Sequence, residues 1–178
     1  IADKLFLVRH NQKRGQALTR EEQDKFLKAI KGSTYENAFK FLLFSGCRRT
    51  EILTIKFDDI FLKDKLVKVH GTKTATSERF IPLTDNLVEI IEKQRKTAKT
   101  SFLFDIKADR LTHLFKKYCP NHKLHDLRHT YITRCAESGI NINVTQKLVG
   151  HSTLNTTLSI YTHISHSFIL NEIKKLEI

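Results

Sequence analysis

The spacing of apolar and polar positions along the chain predicts a protein built mainly of α-helices. The first helix begins at a capping box, in which Thr19 is the N-cap and Glu22 reaches back from the third helical position, and it extends to about Ile30. The second helix places its apolar residues three and four positions apart, so one face is buried, and Gly46 is expected to end it. The residues of that face are Tyr35, Ala38, Phe39, Leu42 and Leu43.

Three short segments rich in β-branched and aromatic residues predict strands, and a second run of helices follows them. The strands are expected at residues 59–62, 66–70 and 79–83, joined by polar turns. Because such turns join antiparallel neighbours, the predicted fold class is α+β, mainly α-helical with a small three-stranded antiparallel sheet. The later helices are expected at residues 85–96, 107–118, 126–138, 143–148, 154–161 and 168–176.

Length and cysteine content limit the class of protein. At 178 residues the chain is one domain of ordinary size, long enough to bury a core. No apolar run approaches the ~20 residues that a membrane-spanning helix needs, and charged residues near the start exclude a signal peptide. The cysteines are odd in number and lack a Cys-x-x-Cys pair, which indicates reduced thiols and a cytoplasmic location. They are Cys47, Cys119 and Cys135.

The positive charge of the chain indicates a polyanionic partner. The chain has 31 lysines and arginines against 19 aspartates and glutamates, which gives a net charge of +12. Nucleic acid is the simplest such partner, although the same charge also serves solubility alone. Residues 1–16 are basic and irregular, which fits either an interdomain linker on DNA or a disordered tail. Since the chain lacks methionine and starts at Ile1, we expect it to be a piece of a longer protein.

The stretch from Leu124 to Thr130 carries the clearest candidate chemistry. If Asp126 opens a helix, His125 lies at its N-terminal edge and Arg128 follows about one turn later. A guanidinium and an imidazole then face one point beside the partial positive charge of a helix N-terminus, where a phosphate fits. Other candidate groups lie elsewhere in the chain: Arg48 and Glu51 upstream, His151 and Tyr161 downstream.

Five motifs in a fixed order resemble the catalytic domain of the tyrosine recombinases, the phage-integrase family of site-specific DNA recombinases. Each motif is weak alone, but their order and spacing are specific, and the resemblance runs from about Thr19 to the C-terminus. Cys47 and Arg49 stand where the family usually has apolar residues, and Val149 is inserted before Gly150. The motifs are Gly46-x-Arg48-x-x-Glu51, Lys73 on a β-hairpin, His125-x-x-Arg128, Leu148-Val149-Gly150-His151 and Tyr161-Thr162-His163.

The resemblance implies a reaction. Tyr161 attacks a DNA phosphodiester and forms a 3′-phosphotyrosine with a free 5′-hydroxyl. This transesterification retains the bond energy, so it requires no ATP, metal or other cofactor. Because a free phenol has a pKa of about 10, Tyr161 needs help to lose its proton, and His125 is expected either to accept it or to act through the bound phosphate. Lys73, on or beside the hairpin tip, is the candidate general acid for the leaving 5′ oxygen.

The remaining site residues are expected to act on the phosphate. Arg48 and Arg128 suit its non-bridging oxygens, because a guanidinium binds phosphate oxygens in pairs. His151 is expected to donate a hydrogen bond to a phosphate oxygen, and Glu51 to orient Arg48. Arg134, six residues past Arg128, is expected to contact the DNA backbone or nothing.

The resemblance also implies a domain organisation and partners. Residues 17–178 form the catalytic domain, residues 1–16 are the interdomain linker, and an N-terminal DNA-binding domain is left out. The expected partner is double-stranded DNA, on which four protomers assemble across two sites, with no membrane involved and an accessory directionality factor as a further candidate. The tail, residues 165–178, packs either on its own domain or on a neighbouring protomer. The expected location is the bacterial cytoplasm, at the nucleoid.

Other functions are alternatives to this one. A zinc protein is suggested by His122, His125 and His129, with more histidines downstream, but no glutamate lies between them to act as a base. A non-catalytic DNA-binding module fits the charge equally well, and a type IB topoisomerase shares the tyrosine chemistry. Among recombinases, integration or excision of a phage or mobile element competes with a Xer-like resolving role.

Overall fold

The computed structural model describes residues 15–71 and 78–151, which contain seven α-helices and three short strands. The expected α+β, mainly helical class is confirmed. Residues 1–14, residues 72–77 between the second and third strands, and the two helices expected after residue 151 lie outside the described residues. The elements are α1 (Arg20–Ile30), α2 (Glu36–Ser45), α3 (Arg49–Ile52), β1 (Ile60–Phe61), β2 (Leu66–Val69), β3 (Arg79–Pro82), α4 (Asp85–Thr97), α5 (Ala108–Tyr118), α6 (Asp126–Glu137) and α7 (Ile142–Val149).

Two helix ends follow directly from the sequence. The Thr19 hydroxyl accepts from the Glu22 amide at 3.1 Å, and the Glu22 carboxylate accepts from the Thr19 amide at 2.8 Å, so the capping box is confirmed. α2 ends at Gly46, whose φ of 65° is left-handed. A Cβ added there would lie 2.4 Å from the ring of Tyr131 in α6. Glycine therefore permits both the turn and the close approach of α6.

The sheet is antiparallel in the order β1-β2-β3. Val67 pairs with Ile81 and both are buried, so one face of the sheet belongs to the core. β1 is shorter than expected because the chain before it forms a 3-10 turn, Phe57–Asp59. The last residue of β2, Val69, pairs with the first residue of β3, Arg79, so the intervening residues connect two neighbouring strand ends.

α2 is central to the core. Phe39 of α2 contacts Phe26 of α1 and Phe115 of α5, with ring centroids 5.8 and 6.1 Å apart. Phe26 and Phe115 also meet edge to face at 5.4 Å. Because burial of such a side chain stabilises the fold by about 1.5–3 kcal/mol, this cluster holds three helices together. α6 also packs against α2, which places His125 and Arg128 beside the end of α2.

The three cysteines are buried and free, and Cys47 packs into the core as expected. Burial raises the pKa of the Cys47 thiol to about 11, so it stays protonated at neutral pH. None of the described helices has both the length and the apolar character needed to cross a membrane.

Candidate active site

Arg48 and Glu51 meet at the start of α3. Arg48 is the residue before the helix, and its amide donates to the Glu51 carboxylate at 2.6 Å. Its guanidinium donates through Nη1 to the same carboxylate at 2.6 Å and through Nη2 to the Gly150 carbonyl at 3.0 Å. The Arg48 side chain is 32% exposed. The guanidinium is therefore fixed at two points while it still reaches the surface.

Glu51 is fully buried and binds a second arginine. Arg79, the first residue of β3, donates to its two carboxylate oxygens at 3.0 and 2.9 Å. Burial alone would raise the pKa of Glu51, but Arg79 and then Arg48 outweigh it and hold that pKa at about 2. The carboxylate is therefore ionised and paired on both sides. In the sequence, Arg79 is predicted only as a strand residue, and no motif points to it.

Arg128 is a buried cation in α6, with 1% of its surface exposed. Nη1 donates to the Gly46 carbonyl at 2.8 Å and Nη2 to the Val149 carbonyl at 2.5 Å. Within the described ranges, Nε has no hydrogen-bond partner. Burial and then the charge of Arg48 lower the pKa of Arg128 to about 9, so the guanidinium is still charged at neutral pH. Because burying a charge is costly unless it is paired, this position favours an incoming anion.

The C-terminal end of α7 contacts all three arginines through consecutive backbone carbonyls. The Leu148 carbonyl accepts from Arg79 Nε at 2.7 Å. The next two carbonyls accept from Arg128 and Arg48 respectively. Gly150 has a left-handed φ of 66°, and a Cβ there would lie 2.9 Å from Arg79 Nη1. Glycine at this motif position thus permits the arginine side chains to converge.

Two histidines lie beside these cations. His125 is the N-cap of α6, and its ring meets that of His129 edge-on, with centroids 5.0 Å apart. Local desolvation, followed by the neighbouring cationic groups, lowers the pKa of His125 to about 4. Burial and then Arg128 and Arg48 lower the pKa of His151 to about 3. Both imidazoles are therefore neutral at neutral pH, and a bound anion would raise both pKa values.

A pocket of about 340 Å³ opens beside Arg128 and His125. Arg49 lies at its side and points away from the Arg48 contacts, since it donates to the Thr112 hydroxyl of α5 at 2.8 Å. The space next to the arginine and histidine is therefore accessible to a ligand. The lining residues are Leu42, Cys47, Arg49, Thr112, Lys123, Leu124, His125 and Arg128.

The expectation that Arg134 either contacts the DNA backbone or contacts nothing did not foresee its contacts inside the protein. Its guanidinium donates to both Glu137 oxygens at 2.9 and 3.0 Å and to the Leu18 carbonyl at 2.8 Å. Its Nε donates to Gln23 at 3.1 Å. Arg134 therefore ties α6 to α1 and to the segment before it.

The histidines considered as zinc ligands have separate environments. His122 is buried and lies 3.4 Å from the Glu22 carboxylate and 3.3 Å from Asp126, whereas the rings of His125 and His129 contact each other. Across residues 15–71 and 78–151, no group of three or more histidines, cysteines or carboxylates is placed to hold a metal ion.

The structure brings Arg48, Glu51, Arg128 and His151 into one region, next to His125. Lys73 and Tyr161 lie outside the described residues, so their roles stay predictions. A mainly helical domain with a small antiparallel sheet and this arginine cluster has the architecture of a tyrosine recombinase catalytic domain. The chain belongs to the phage integrase family, whose family model matches residues 16–167.

Curated relatives carry recombinase names. The chain is 34% identical over 169 residues to the tyrosine recombinase XerA of Saccharolobus solfataricus, an alignment that covers 92% of this chain and 57% of the relative. It is 33% identical over 165 residues to a probable integrase/recombinase of Acholeplasma phage L2, covering 85% of this chain and 56% of the relative. The chain thus spans a little over half the length of these relatives.

Solved structures share the fold. The crystal structure of XerA recombinase matches with a TM-score of 0.75 at 20% identity, covering 91% of this chain and 65% of that one. The Tn1549 transposon integrase in complex with a circular intermediate DNA matches with a TM-score of 0.75 at 20% identity, covering 93% and 67%. At these identities the likeness concerns the fold.

Proposed function

We propose that the chain is the catalytic domain of a site-specific DNA recombinase, which cuts and rejoins DNA strands by transesterification through a 3′-phosphotyrosine. One observation carries the proposal: consecutive carbonyls at the end of α7 bind three arginines, two of which share the buried carboxylate of Glu51. Two of them, Arg48 and Arg128, are the arginines that the motifs assign to the phosphate. The recombinase names of relatives at 34% and 33% identity support the same activity.

The charge of the cluster supports phosphate binding. Arg48 and Arg79 pair with Glu51, and Arg128 binds backbone carbonyls close by, so these three guanidinium groups and one carboxylate carry two net positive charges. A phosphodiester brings one negative charge, and more negative charge develops on the non-bridging oxygens in the transition state. Because Arg48 and Arg128 are fixed before the substrate arrives, they stabilise that charge with little reorganisation.

In the proposed reaction one phosphorus–oxygen bond forms while another breaks, and one proton leaves the nucleophile while another reaches the leaving oxygen. The Tyr161 oxygen bonds to phosphorus while the bond from phosphorus to the 5′ oxygen breaks, and the phosphate stays attached to the 3′ side. His125 is neutral at pH 7 and so is able to accept the phenol proton. Lys73 supplies a proton to the leaving 5′ oxygen. Attack by the 5′-hydroxyl of another strand reverses the step and completes the exchange.

The domain limits and partners belong to the same proposal. Residues 17–178 are the catalytic domain and residues 1–16 a basic linker that lies on DNA. The partner is double-stranded DNA, as in the solved complexes of the Tn1549 integrase and of a lambda integrase dimer bound to a core site. Four copies assemble on two sites, with residues 165–178 docked on a neighbour and a directionality factor as an accessory. Acting on DNA places the protein in the cytoplasm, at the nucleoid.

Two biological roles use this chemistry. Integration or excision of a phage or mobile element is our first proposal, supported by the relative from Acholeplasma phage L2. A Xer-like resolving role is the second, supported by the XerA relatives. The DNA sequence that the protein cuts decides between them, because it matches either the end of a mobile element or a chromosomal resolution site.

Covalent trapping tests the proposed activity and identifies the target site in the same experiment. The chain is incubated with a library of duplexes that carry a randomised core and a nick, so that the short cleaved fragment diffuses away. We expect protein–DNA adducts that survive denaturation, and sequencing of the trapped DNA gives the site. Absence of adducts from every duplex at high protein concentration would contradict the proposed function.

Replacement of Lys73 by alanine is expected to slow cleavage because the leaving 5′ oxygen then departs without a proton. Removal of a general acid typically costs ~100-fold or more. A substrate with a 5′-phosphorothiolate leaving group needs no proton, so cleavage of that substrate by Lys73→Ala should match the wild type. Single-turnover cleavage of both substrates measures this. If the sulfur substrate fails to restore the rate, the acid is another group, with His125 the next candidate.

DNA binding is expected to strengthen as the pH falls from about 7 towards 5. A bound phosphate raises the pKa of His125 above its value of about 4 in the free protein, so the complex takes up a proton that the free protein lacks. Affinity therefore rises as the pH drops through the bound-state pKa and levels off below the free-state pKa. Fluorescence anisotropy at constant ionic strength measures the slope.

Matched histidine variants isolate this effect from the general titration of the chain. His125→Gln should reduce the slope of the pH dependence and leave the contribution of His151, whereas His113→Gln, on the exposed side of α5, should leave the slope as in the wild type. Equal slopes for His125→Gln and the wild type would show that His125 does not change its protonation on binding.

A further inference from the structure

Arg79 connects three elements of the candidate active site. It opens β3, its guanidinium pairs with Glu51 of α3, and its Nε donates to the Leu148 carbonyl at the end of α7. Its side chain is only 9% exposed. The hydrogen bonds to Glu51 and Leu148 leave little of this buried guanidinium free for substrate, in contrast to Arg48, which is 32% exposed.

The first effect of Arg79 concerns charge. Glu51 contacts Arg48 at 2.6 Å, and this pair alone would cancel the positive charge of Arg48. Arg79 takes both oxygens of the same carboxylate in a bidentate pair, so it offsets the Glu51 charge from the opposite side. The charge of Arg48 is then available to a phosphate, although Arg48 is held by a carboxylate.

The second effect concerns position. The Leu148 carbonyl that binds Arg79 is followed directly by the Val149 and Gly150 carbonyls, which bind Arg128 and Arg48. Gly150 packs against the Arg79 guanidinium, since a Cβ there would lie 2.9 Å from Nη1. A shift of this turn would displace both phosphate-binding arginines together, as well as His151, the next residue.

We propose that Arg79 is a positioning residue for the strand-transfer reaction, which offsets the charge of Glu51 and fixes the turn at residues 148–150 so that Arg48 and Arg128 meet the phosphate. The inference rests on the function proposed above. Arg79 acts through Glu51 and the α7 turn and does not touch the substrate.

The test compares Arg79→Met with Arg134→Met in the whole chain. Both arginines are largely buried, pair with a carboxylate and donate to a backbone carbonyl, but Arg134 lies between α6 and α1, outside the arginine cluster. The two variants should therefore lose similar thermal stability. Single-turnover cleavage of the trapped duplex is measured at saturating protein and well below both melting temperatures, with DNA affinity measured in parallel.

We expect Arg79→Met to cleave ~100-fold more slowly than the wild type, because a small misplacement of the reacting groups has an effect of this size. Its DNA affinity should change by less than about threefold. Arg134→Met should cleave within about threefold of the wild type. Arg79→Lys restores the charge without the paired donors, so its rate should fall between Arg79→Met and the wild type. The double variant Arg79→Met with Glu51→Gln should cleave no more slowly than the slower of the two single variants. Arg79 acts through its pair with Glu51, so both substitutions remove the same interaction and their effects are not additive.

The outcomes separate this inference from the proposed function. If the wild-type protein forms no covalent adducts with DNA, the proposed recombinase function itself is refuted. A wild type that forms adducts, with Arg79→Met equally fast, or slowed only as much as Arg134→Met, would overturn the positioning role while leaving the function intact. If Arg79→Met does not fold, Arg79→Lys decides: a rate equal to the wild type overturns the proposal, and a loss at unchanged affinity supports it.

Discussion

Tyr161→Phe should form no covalent adduct with DNA while it binds DNA as well as the wild type does. Phenylalanine lacks the oxygen that bonds to phosphorus, so a covalent bond to the DNA phosphate cannot form at this position. The charges that bind the DNA backbone are unchanged, and so are Arg48 and Arg128. Gel electrophoresis under denaturing conditions detects the adduct, and a mobility shift under native conditions detects binding.

Tyr118→Phe is the matched control for this substitution. Tyr118 ends α5, is half-buried, and its ring meets Phe39 edge-on at 6.2 Å, away from the arginine cluster. It should form adducts at the wild-type rate. An adduct formed by Tyr161→Phe would show that another residue is the nucleophile.

Arg48→Ala and Arg128→Ala should each slow cleavage by ~100-fold or more, with a far smaller loss of DNA affinity. Removal of one preorganised donor to a developing oxyanion typically costs about 3–4 kcal/mol of transition-state stabilisation. One among many phosphate contacts contributes much less to non-specific affinity. Single-turnover cleavage and salt-dependent binding curves measure the two losses separately.

The two arginines need different controls. Arg48→Ala leaves Glu51 paired with Arg79, so the fold should survive. Arg128→Ala leaves the Gly46 and Val149 carbonyls without their donor inside the protein, so its stability should fall as well. Arg128→Lys retains the charge but cannot span both carbonyls and the phosphate, and it should still cleave slowly. Parallel losses of binding and cleavage for Arg48→Ala would count against a role in the transition state.

Features encoded by neighbouring residues could be predicted from the sequence. The capping box of Thr19 and Glu22 and the end of α2 at Gly46 depend on a few adjacent positions, and the structure has both. The position of His125 at the start of α6 follows from its own motif in the same way. The sheet could be predicted because its strands are joined by short turns, although the 3-10 turn at Phe57–Asp59 shortened β1.

Contacts between distant parts of the chain could not be predicted in this way. Arg79 is 28 positions from Glu51 and 69 from Leu148, and neither spacing belongs to a local motif. Arg134 contacts Leu18, 116 positions away, which only the packing of α6 on α1 creates. For a charged residue at the start of a strand or on a helix, a hydrophobicity pattern predicts a side chain exposed to solvent. Its buried carboxylate or carbonyl partners become apparent only when the elements are packed.

Mass mapping of the trapped adduct tests the central claim most directly. Trypsin cuts after Lys147 and Lys174, so Tyr161 is released in the peptide of residues 148–174, which contains no other tyrosine. We predict that this peptide carries the nucleotide, that fragment spectra place it on Tyr161 as a phosphodiester to a 3′ oxygen, and that the released strand ends in a 5′-hydroxyl. A nucleotide on any other residue, or a 5′-linked phosphate, would contradict the proposed mechanism.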